Sequence, residues 1–379
     1  MYQGAWWRIM FDMTSGERWR LGHRPALDGL RGIAIVAVLI YHGSIVIGRD
    51  SYVPSLGVVG VTVFFTLSGF LITTLLLEDR EAHGRIRYGH FYRLRALRLL
   101  PALIALIAFV CVLGVFVDGF VHVGSVLATL FYVQNWYSGI GGTRDALGHT
   151  WTLSIEEQFY LLWPIALGWA ARYGWRCILA LALTGAAVSA VLRNALYGHG
   201  DAWQNFSATY TKADALLIGC ALAVVMSRLS YSWVRVPLVV VGLAMIALAS
   251  EMTLNAYQVA APTAAEFGTA VLIFGACAGR GGIRALEWGW LTWFGRRSYG
   301  LYLWHVPVMA LLMKTTLPTG VSLLMIAGGS LVLTELSWRL IEQPFMRRRQ
   351  SVKNEIPSSP TYVVEPAAKV TTPVVSTSI

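Results

Sequence analysis

Ten stretches of the chain are long and apolar enough to cross a lipid bilayer as helices. A bilayer core of about 30 Å requires roughly 20 apolar residues in helical conformation. Only 13% of the 379 residues are charged, whereas a soluble domain is about one quarter charged. The sequence therefore predicts an all-α membrane protein of about ten transmembrane helices. The predicted spans are 30–47, 57–77, 99–117, 151–170, 177–196, 212–227, 234–250, 262–279, 298–316 and 321–345.

The distribution of positive charge predicts the orientation of these spans. A weaker apolar segment at 121–137 ends in Gln134 and Asn135. If this segment does not cross and the chain begins inside, 23 of the 30 Lys and Arg residues fall on the inner side. If it crosses, twelve of them face outward. Because cytoplasmic loops carry an excess of Lys and Arg, we expect both termini in the cytoplasm and an outer excursion at 118–150 with a buried or re-entrant piece.

The net charge of +10 does not indicate a nucleic-acid partner. In a membrane protein, a basic excess is the expected product of positively charged cytoplasmic loops. The four cysteines all lie within apolar stretches and lack metal-ligand spacing. We therefore interpret them as packing residues and expect no metal site.

Three regions are predicted along the chain. Residues 1–21 contain Trp and Arg but lack the apolar core and cleavage site of a signal peptide, so we expect them to lie on the cytoplasmic membrane surface. Residues 22–346 form the transmembrane domain. Residues 347–379 begin with basic residues and continue without helical periodicity, which predicts a disordered cytoplasmic tail and no second folded domain.

Charged side chains inside predicted spans point to function, because each costs at least ~2.5–3.5 kcal/mol at mid-membrane. In the first span, Arg31 and His42 are eleven residues apart, so they lie on one helix face about 16 Å apart along the axis. Asp28 lies in the first turn, where a negative charge complements the helix dipole. This alignment is typical of a polar passage. Alternatively, His42 bonds a neighbouring carbonyl and Arg31 extends to the lipid headgroups.

A second cluster places five arginines within residues 85–98, just before a predicted span. Arg95 and Arg98 are neighbours on one helix turn, and Arg93 is more loosely associated with them. Guanidinium groups bind phosphate oxygens bidentately, which indicates a site for a phosphorylated donor such as coenzyme A. The alternative is ordinary positive charge on an inner loop.

A third cluster lies at the head of the span that begins at residue 151. Ser154 and Glu157 are three residues apart, and Glu156 and Tyr160 are four residues apart, so each pair shares a helix face. One of the two adjacent glutamates must point into the protein. Because carboxylates are also favourable at a helix N-terminus, helix capping is the alternative to a functional role.

The last predicted span contains charges that favour a structural role. Glu335, Arg339 and Glu342 fall on one stripe of this span. Neutralising pairs of this kind often hold spans together. The preceding span contributes the run Ser298 to Pro307, which includes His305.

Taken in order, these clusters resemble the acyltransferase-3 family of multi-pass membrane acyltransferases over roughly residues 22–346. The resemblance implies a ten-helix domain that transfers an acyl group, commonly acetyl, from acyl-coenzyme A to a hydroxyl of a glycan, a lipid-linked sugar or a secondary metabolite. It implies a bacterial plasma membrane and no permanently bound cofactor. Some relatives carry a soluble hydrolase-like domain after the last span, which is not expected here. The marks of the resemblance are the runs Arg24–His42, Phe64–Ile72, Phe91–Pro101, Trp151–Tyr160, Ser298–His305 and Ile341–Pro344.

The resemblance also implies roles for individual residues. The family's pattern of an arginine, ten residues and a histidine matches Arg31 and His42, its paired arginines match Arg95 and Arg98, and its Ser/Glu motif matches Ser154 and Glu156. His42 is the predicted general base, because imidazole changes protonation near neutral pH. The predicted catalytic residues are His42, Arg31, Glu156, Glu157 and Ser154. The predicted substrate-binding residues are Arg93, Arg95, Arg98, Asp28, Tyr160 and His305. The alternative function is a transporter or flippase that uses the same charges as a proton relay.

Overall fold

The computed structural model describes residues 19–48, 54–143, 145–229, 236–251, 260–277 and 283–354. These residues form helices and turns, with no strand among them. The predicted interfacial segment 1–21 lies outside the described residues except for 19–21. The predicted tail 347–379 is described only as far as residue 354, where a helix ends.

The described residues form fifteen α-helices, which we number in chain order. They are α1 Pro25–Val46, α2 Pro54–His83, α3 Tyr88–Phe116, α4 Val123–Leu130, α5 Gln134–Gly139, α6 Trp151–Ala170, α7 Trp175–Leu196, α8 Ala202–Ser207, α9 Ala213–Met226, α10 Val236–Glu251, α11 Ala260–Cys277, α12 Gly289–Arg296, α13 Ser298–Leu312, α14 Thr319–Ser337 and α15 Gln343–Asn354. A π-helical turn, Trp338–Glu342, joins α14 to α15. Pro344 follows this turn and has no N–H with which to continue the regular helical ladder.

Nine of the ten predicted spans each coincide, over their described residues, mainly with one of these helices, and the last, 321–345, covers α14, the π-helical turn and the start of α15. Six of the described helices are long and apolar enough to cross a membrane, and two others are apolar but shorter, Ala213–Met226 and Leu238–Ala249. The part of the chain that the structure describes is therefore all-helical, as in a multi-pass membrane protein, whereas ten crossings and cytoplasmic termini stay predictions. The six described helices that are long and apolar enough to cross a membrane are Pro25–Val46, Leu56–His83, Tyr88–Phe116, Trp175–Leu196, Ala260–Cys277 and Thr319–Arg349.

The weak segment at 121–137 is not a continuous helix. It is divided between α4 and α5, which have eight and six residues. An eight-residue helix rises only about 12 Å, which is too short for the bilayer core. Gln134 and Asn135 at the start of α5 are buried. The buried piece of the predicted excursion is therefore present, whereas its position on the outer side stays a prediction.

Glycines allow the helices that carry the charged residues to approach closely. A Cβ on Gly295 of α12 would lie 1.7 Å from the carbonyl oxygen of Asp28 on α1. A Cβ on Gly219 of α9 would lie 2.0 Å from the carbonyl oxygen of Thr66 on α2. Small residues at helix contacts are typical of membrane proteins, where packing rather than hydrophobic burial holds helices together. These contacts fix α1 and α2 against the rest of the bundle.

Helices α1 and α2 run antiparallel. A Cβ on Gly57 would meet the ring of Tyr41, and one on Gly60 would meet Val38. Arg31, near the start of α1, therefore lies toward the end of the bundle where α2 finishes. His42 lies toward the end where α2 begins. We call these the arginine end and the opposite end.

Candidate active site

A cavity of about 250 Å³ lies between α1, α2, α3, α6 and α13. Apolar side chains of α2, such as Phe64 and Phe65, form much of its wall. Binding sites for small molecules are typically concave and apolar, with a few well-placed polar groups. Five of the predicted site residues line this cavity, namely Arg31, Arg95, Arg98, Glu156 and Tyr160. The polar lining comprises Arg31, Ser68, Arg95, Arg98, Thr152, Glu156, Tyr160, Ser298, Tyr299 and Tyr302.

Arg31 is held at the cavity by a neighbour on its own helix. Its Nη1 lies 3.3 Å from Oδ1 of Asp28, one turn earlier. Asp28 is not among the lining residues, and its backbone is fixed against α12 by the close contact with Gly295. Asp28 therefore lies where it can orient Arg31, and it is not placed to contact a ligand in the cavity.

The two adjacent glutamates of α6 have different surroundings. Glu156 lines the cavity and accepts a hydrogen bond from Oγ of Ser68 at 2.7 Å. Glu157 is not among the lining residues and lies 3.5 Å from Nη2 of Arg95. The guanidinium of Arg95 also stacks 3.5 Å above the ring of Tyr160. Glu157 and Tyr160 thus position Arg95, and Glu156 is the carboxylate that faces the cavity.

Arg98 is the least compensated cation of this site. It makes no ion pair or hydrogen bond to any residue in the described ranges, although the positive charges of Arg31 and Arg95 act on it. Its guanidinium lines the cavity. Arg93, in contrast, is exposed and lies outside the lining. Residues two positions apart on a helix point about 200° apart, which separates Arg93 from Arg95.

Ser154 is buried behind the cavity rather than on its wall. Its Oγ accepts a hydrogen bond from the backbone N–H of Gln134 at 3.1 Å and donates to the carbonyl oxygen of Thr150 at 3.3 Å. The bond from Gln134 joins α5 to α6. Ser154 therefore helps to hold the segment 118–150 against α6.

His42 belongs to a cluster of histidines beside the cavity. Its ring centroid lies 4.8 Å from that of His305, which in turn lies 5.6 Å from that of His149. None of the three is among the cavity-lining residues, but Tyr302, whose ring is 5.5 Å from that of His305, is. The cluster therefore lies behind Tyr302.

The hydrogen bonds of this cluster fix where its protons lie. Nδ1 of His42 contacts the carbonyl oxygen of Val38 at 2.9 Å, and Nδ1 of His305 contacts that of Leu301 at 3.0 Å. Because a carbonyl oxygen only accepts, each Nδ1 carries a proton, and Nε2 of each neutral ring has the free lone pair. Nε2 of His305 is buried, and none of the described residues hydrogen-bonds it. The cluster thus holds lone pairs that can take a proton.

Sequence reasoning missed the roles of Ser68, Tyr302 and His149. Ser68 lies in the run Phe64–Ile72, and the other two lie in or beside runs that carry the family resemblance. Their contacts join residues far apart in sequence, such as Ser68 with Glu156. A signal was present in the motifs, but the spacing within a single helix could not reveal these partners.

The charged stripe of the last span makes a contact between helices. Nε of Arg297, at the start of α13, donates to Oε2 of Glu335 at 2.7 Å, and Nε of Arg339 donates to Oε1 of the same carboxylate at 2.6 Å. Glu342 accepts a hydrogen bond from Ser337 at 3.1 Å. None of these residues lines the cavity. The geometry supports the structural interpretation of this stripe.

Residues 24–338 match the acyltransferase domain of the acyltransferase-3 family. This match covers most of the helical domain, including every side chain that lines the cavity. The chain therefore belongs to the acyltransferase-3 family of membrane acyltransferases.

The chain is similar to several bacterial proteins that are named as O-acetyltransferases. The chain is 31% identical over 366 residues to the peptidoglycan O-acetyltransferase OatA of Listeria monocytogenes, covering 88% of this chain and 58% of that protein. It is 32% identical over 371 residues to the putative peptidoglycan O-acetyltransferase YrhL of Bacillus subtilis, covering 88% and 56%. It is 29% identical over 358 residues to the O-acetyltransferase OatA of Staphylococcus aureus, covering 86% and 57%. The chain thus spans a little over half the length of these relatives. No solved structure matches it significantly.

Proposed function

We propose that this chain is an O-acyltransferase of the bacterial plasma membrane that transfers an acyl group, such as acetyl, from acyl-coenzyme A to a hydroxyl of a cell-envelope glycan. The observation that carries the proposal is the cavity in which Arg31, Arg95 and Arg98 meet the Glu156–Ser68 pair. The glycan acceptor is suggested by the relatives named as peptidoglycan O-acetyltransferases.

The charge of the cavity supports an anionic donor. Three arginines line it, whereas Glu156 is the one carboxylate among its described lining residues. Guanidinium groups bind phosphate through two parallel hydrogen bonds, so Arg95 and Arg98 are suited to the phosphates of acyl-coenzyme A. Arg31 would then approach the phosphates or the thioester. The apolar wall of α2 would accompany the pantetheine arm and exclude water from the thioester.

The chemical step needs a base near the acceptor hydroxyl, and His42 is proposed for this role. His42 lies behind Tyr302 rather than on the cavity wall, so the acceptor hydroxyl must reach past Tyr302. Nε2 of His42 then takes the hydroxyl proton as the acceptor oxygen attacks the thioester carbonyl carbon. A C–O ester bond forms and the C–S bond breaks. The departing sulfur receives a proton from the imidazolium and leaves as the thiol of coenzyme A. Glu156, held by Ser68, would orient the acceptor hydroxyl at the cavity.

Mass spectrometry of the cell envelope tests this function. Glycans from cells that contain the protein should carry base-labile acyl esters that are absent from cells without it. Cells that produce Arg98→Gln protein at the normal level should show reduced esterification. Unchanged ester content in both strains would contradict the proposal.

A flux measurement separates acyl transfer from the alternative of transport. In liposomes that contain the purified protein, a transporter would move substrate or protons without acyl-coenzyme A. An acyltransferase consumes acyl-coenzyme A and releases the free thiol only as acyl groups reach an acceptor or water. Substrate flux without acyl-coenzyme A would favour the transporter.

A further inference from the structure

A second cavity, of about 170 Å³, lies at the opposite end of the bundle. It is formed by the end of α7, the loop that follows it and the starts of α2 and α11. Nδ2 of Asn205 donates to the carbonyl oxygen of Leu196 at 3.1 Å, which fixes the loop. We call this cavity the vestibule. Its polar and aromatic lining includes Arg193, Tyr197, His199, Asn205, Phe206 and Lys212.

Arg193 is paired with two buried carboxylates. Its Nη1 lies 2.5 Å from Oδ2 of Asp214 and 3.0 Å from Oε1 of Glu266. Its Nη2 donates to Oγ1 of Thr263 at 2.6 Å. These bonds join α7, α9 and α11, and such buried groups need each other as partners because an unpaired buried charge is costly. Arg193 is therefore occupied in holding three helices together.

Lys212 differs from Arg193 because its ammonium has no hydrogen-bond or ion-pair partner among the described residues, although the carboxylates of Asp214 and Glu266 act on its charge from farther away. Its side chain is only 7% exposed, yet it forms no hydrogen bond or ion pair with any residue that the structure describes. The ammonium lies 4.1 Å from the centroid of the Phe206 ring. A buried ammonium with three unused N–H donors is costly unless a ligand or water accepts from it. Lys212 therefore offers hydrogen bonds to a molecule in the vestibule.

The vestibule is aligned with the active-site cavity. A small gap of about 10 Å³ is lined by Lys212 and Phe206, which also line the vestibule, and by Val61 and Phe65. The carboxylates of Asp214 and Glu266 line it as well. Val61 and Phe65 also line the active-site cavity. The gap thus shares lining side chains with both cavities.

One face of α2 connects the vestibule to the catalytic residues. Val58 borders the vestibule, Val61 and Phe65 line the gap, and Ser68 binds Glu156. At about 100° and 1.5 Å per residue, these four positions fall within one face and span about 15 Å. A molecule that follows this face from the opposite end meets Val61 and Phe65 before Ser68 and Glu156, and it does not pass Arg31, Arg95 or Arg98.

We propose that the vestibule binds the sugar acceptor before its hydroxyl enters the active-site cavity. This inference rests on the proposed transfer to a glycan hydroxyl. A sugar presents many oxygens that accept hydrogen bonds and ring faces that are less polar. Lys212 donates to a sugar oxygen, and the Phe206 ring packs against a ring face. The acceptor therefore enters from the opposite end, and the donor occupies the arginine end.

Equilibrium binding tests the vestibule without requiring catalysis. Soluble peptidoglycan fragments are titrated into the purified full-length protein in detergent, without acyl-coenzyme A, and binding is measured by calorimetry. The substitution Lys212→Met should weaken fragment binding about tenfold, as expected for one lost hydrogen bond to a charged donor. Binding of acyl-coenzyme A should be unchanged. Lys314→Met is the matched control, because Lys314 donates to the backbone of Asp118 outside the vestibule.

A second variant avoids any change of buried charge. Val58→Trp fills the vestibule and should also weaken fragment binding about tenfold or more, since several contacts are lost. Leu162→Trp, at a site that is 65% exposed, is its control. Fragment affinities within twofold of wild type in both vestibule variants, or no binding to wild type, would overturn the inference. Fragment binding without any acyl transfer would instead contradict the proposed function and leave the vestibule in place.

Discussion

The ring of His42 packs edge-on against the ring of His305, with centroids 4.8 Å apart and an interplanar angle of 73°. His42 lies on α1 and His305 on α13, so the contact joins the first described helix to one near the end of the chain. Together with the bond from Nδ1 to Val38, it holds the imidazole of His42 in one orientation. The proposed base is therefore positioned by its neighbours.

Replacing His305 should impair the chemical step more than substrate binding. In His305→Leu, the ring of His42 loses its edge contact and samples other orientations, so we expect kcat to fall about tenfold with little change in KM for acyl-coenzyme A. Steady-state kinetics on purified protein measure both constants. His122→Leu is the control, because His122 is exposed and bonds Asp145 outside the cavity. A wild-type kcat in His305→Leu would refute a positioning role.

Arg98 and Arg93 allow a matched test of donor binding. The substitution to Lys keeps the charge but removes the bidentate fork. Because Arg98 lines the cavity and Arg93 is exposed, Arg98→Lys should raise KM for acyl-coenzyme A about tenfold and Arg93→Lys should raise it less. Equal effects of the two substitutions would show that the cavity does not discriminate between these arginines.

The adjacent glutamates should give different phenotypes. Glu156 faces the cavity, so Glu156→Gln should lower kcat by about 100-fold if this carboxylate orients the acceptor. Glu157 pairs with Arg95, so Glu157→Gln should act mainly on KM for the donor. Ser68→Ala should reproduce part of the Glu156→Gln defect, because it removes the hydrogen bond to that carboxylate. The reverse pattern would exchange the roles assigned to the two glutamates.

A pair of glycines tests the packing that brings the site together. In Gly219→Ala, the new Cβ would lie 2.0 Å from the carbonyl oxygen of Thr66, so α2 and α9 must separate and Tm should fall. In Gly328→Ala, no atom lies within 4 Å of the new Cβ, and the change should stabilise helix α14 by about 0.5–1 kcal/mol. Thermal unfolding in detergent measures both. A Gly219→Ala protein with wild-type Tm would contradict this contact.

The ten apolar stretches predicted helices well because hydrophobic length is a local property. Their ends were less accurate where polar residues continue a helix. The second predicted span, 57–77, extends to His83, and the last, 321–345, is followed by helix to Asn354. Helical hydrogen bonds can continue beyond the apolar core, since a span is limited by hydrophobicity but a helix is not.

The candidate site was predictable only in part, because its geometry depends on contacts between distant segments. The alignment of Arg31 with His42 follows from helical spacing, but the contact of His42 with His305 does not. Adjacent residues of α6 could not be separated by sequence, because Glu156 and Glu157 differ only in the helices they face.

Reconstituted acyl transfer tests the central claim most directly, namely that the buried charges of this bundle surround a reaction. Purified protein in liposomes is given acyl-coenzyme A with a labelled acyl group and soluble peptidoglycan fragments, and label in base-labile esters on the glycan is counted. Wild-type protein should form the labelled ester, and folded His42→Ala protein should form it at least about 100-fold more slowly. Ester formation at the wild-type rate by His42→Ala would contradict the account.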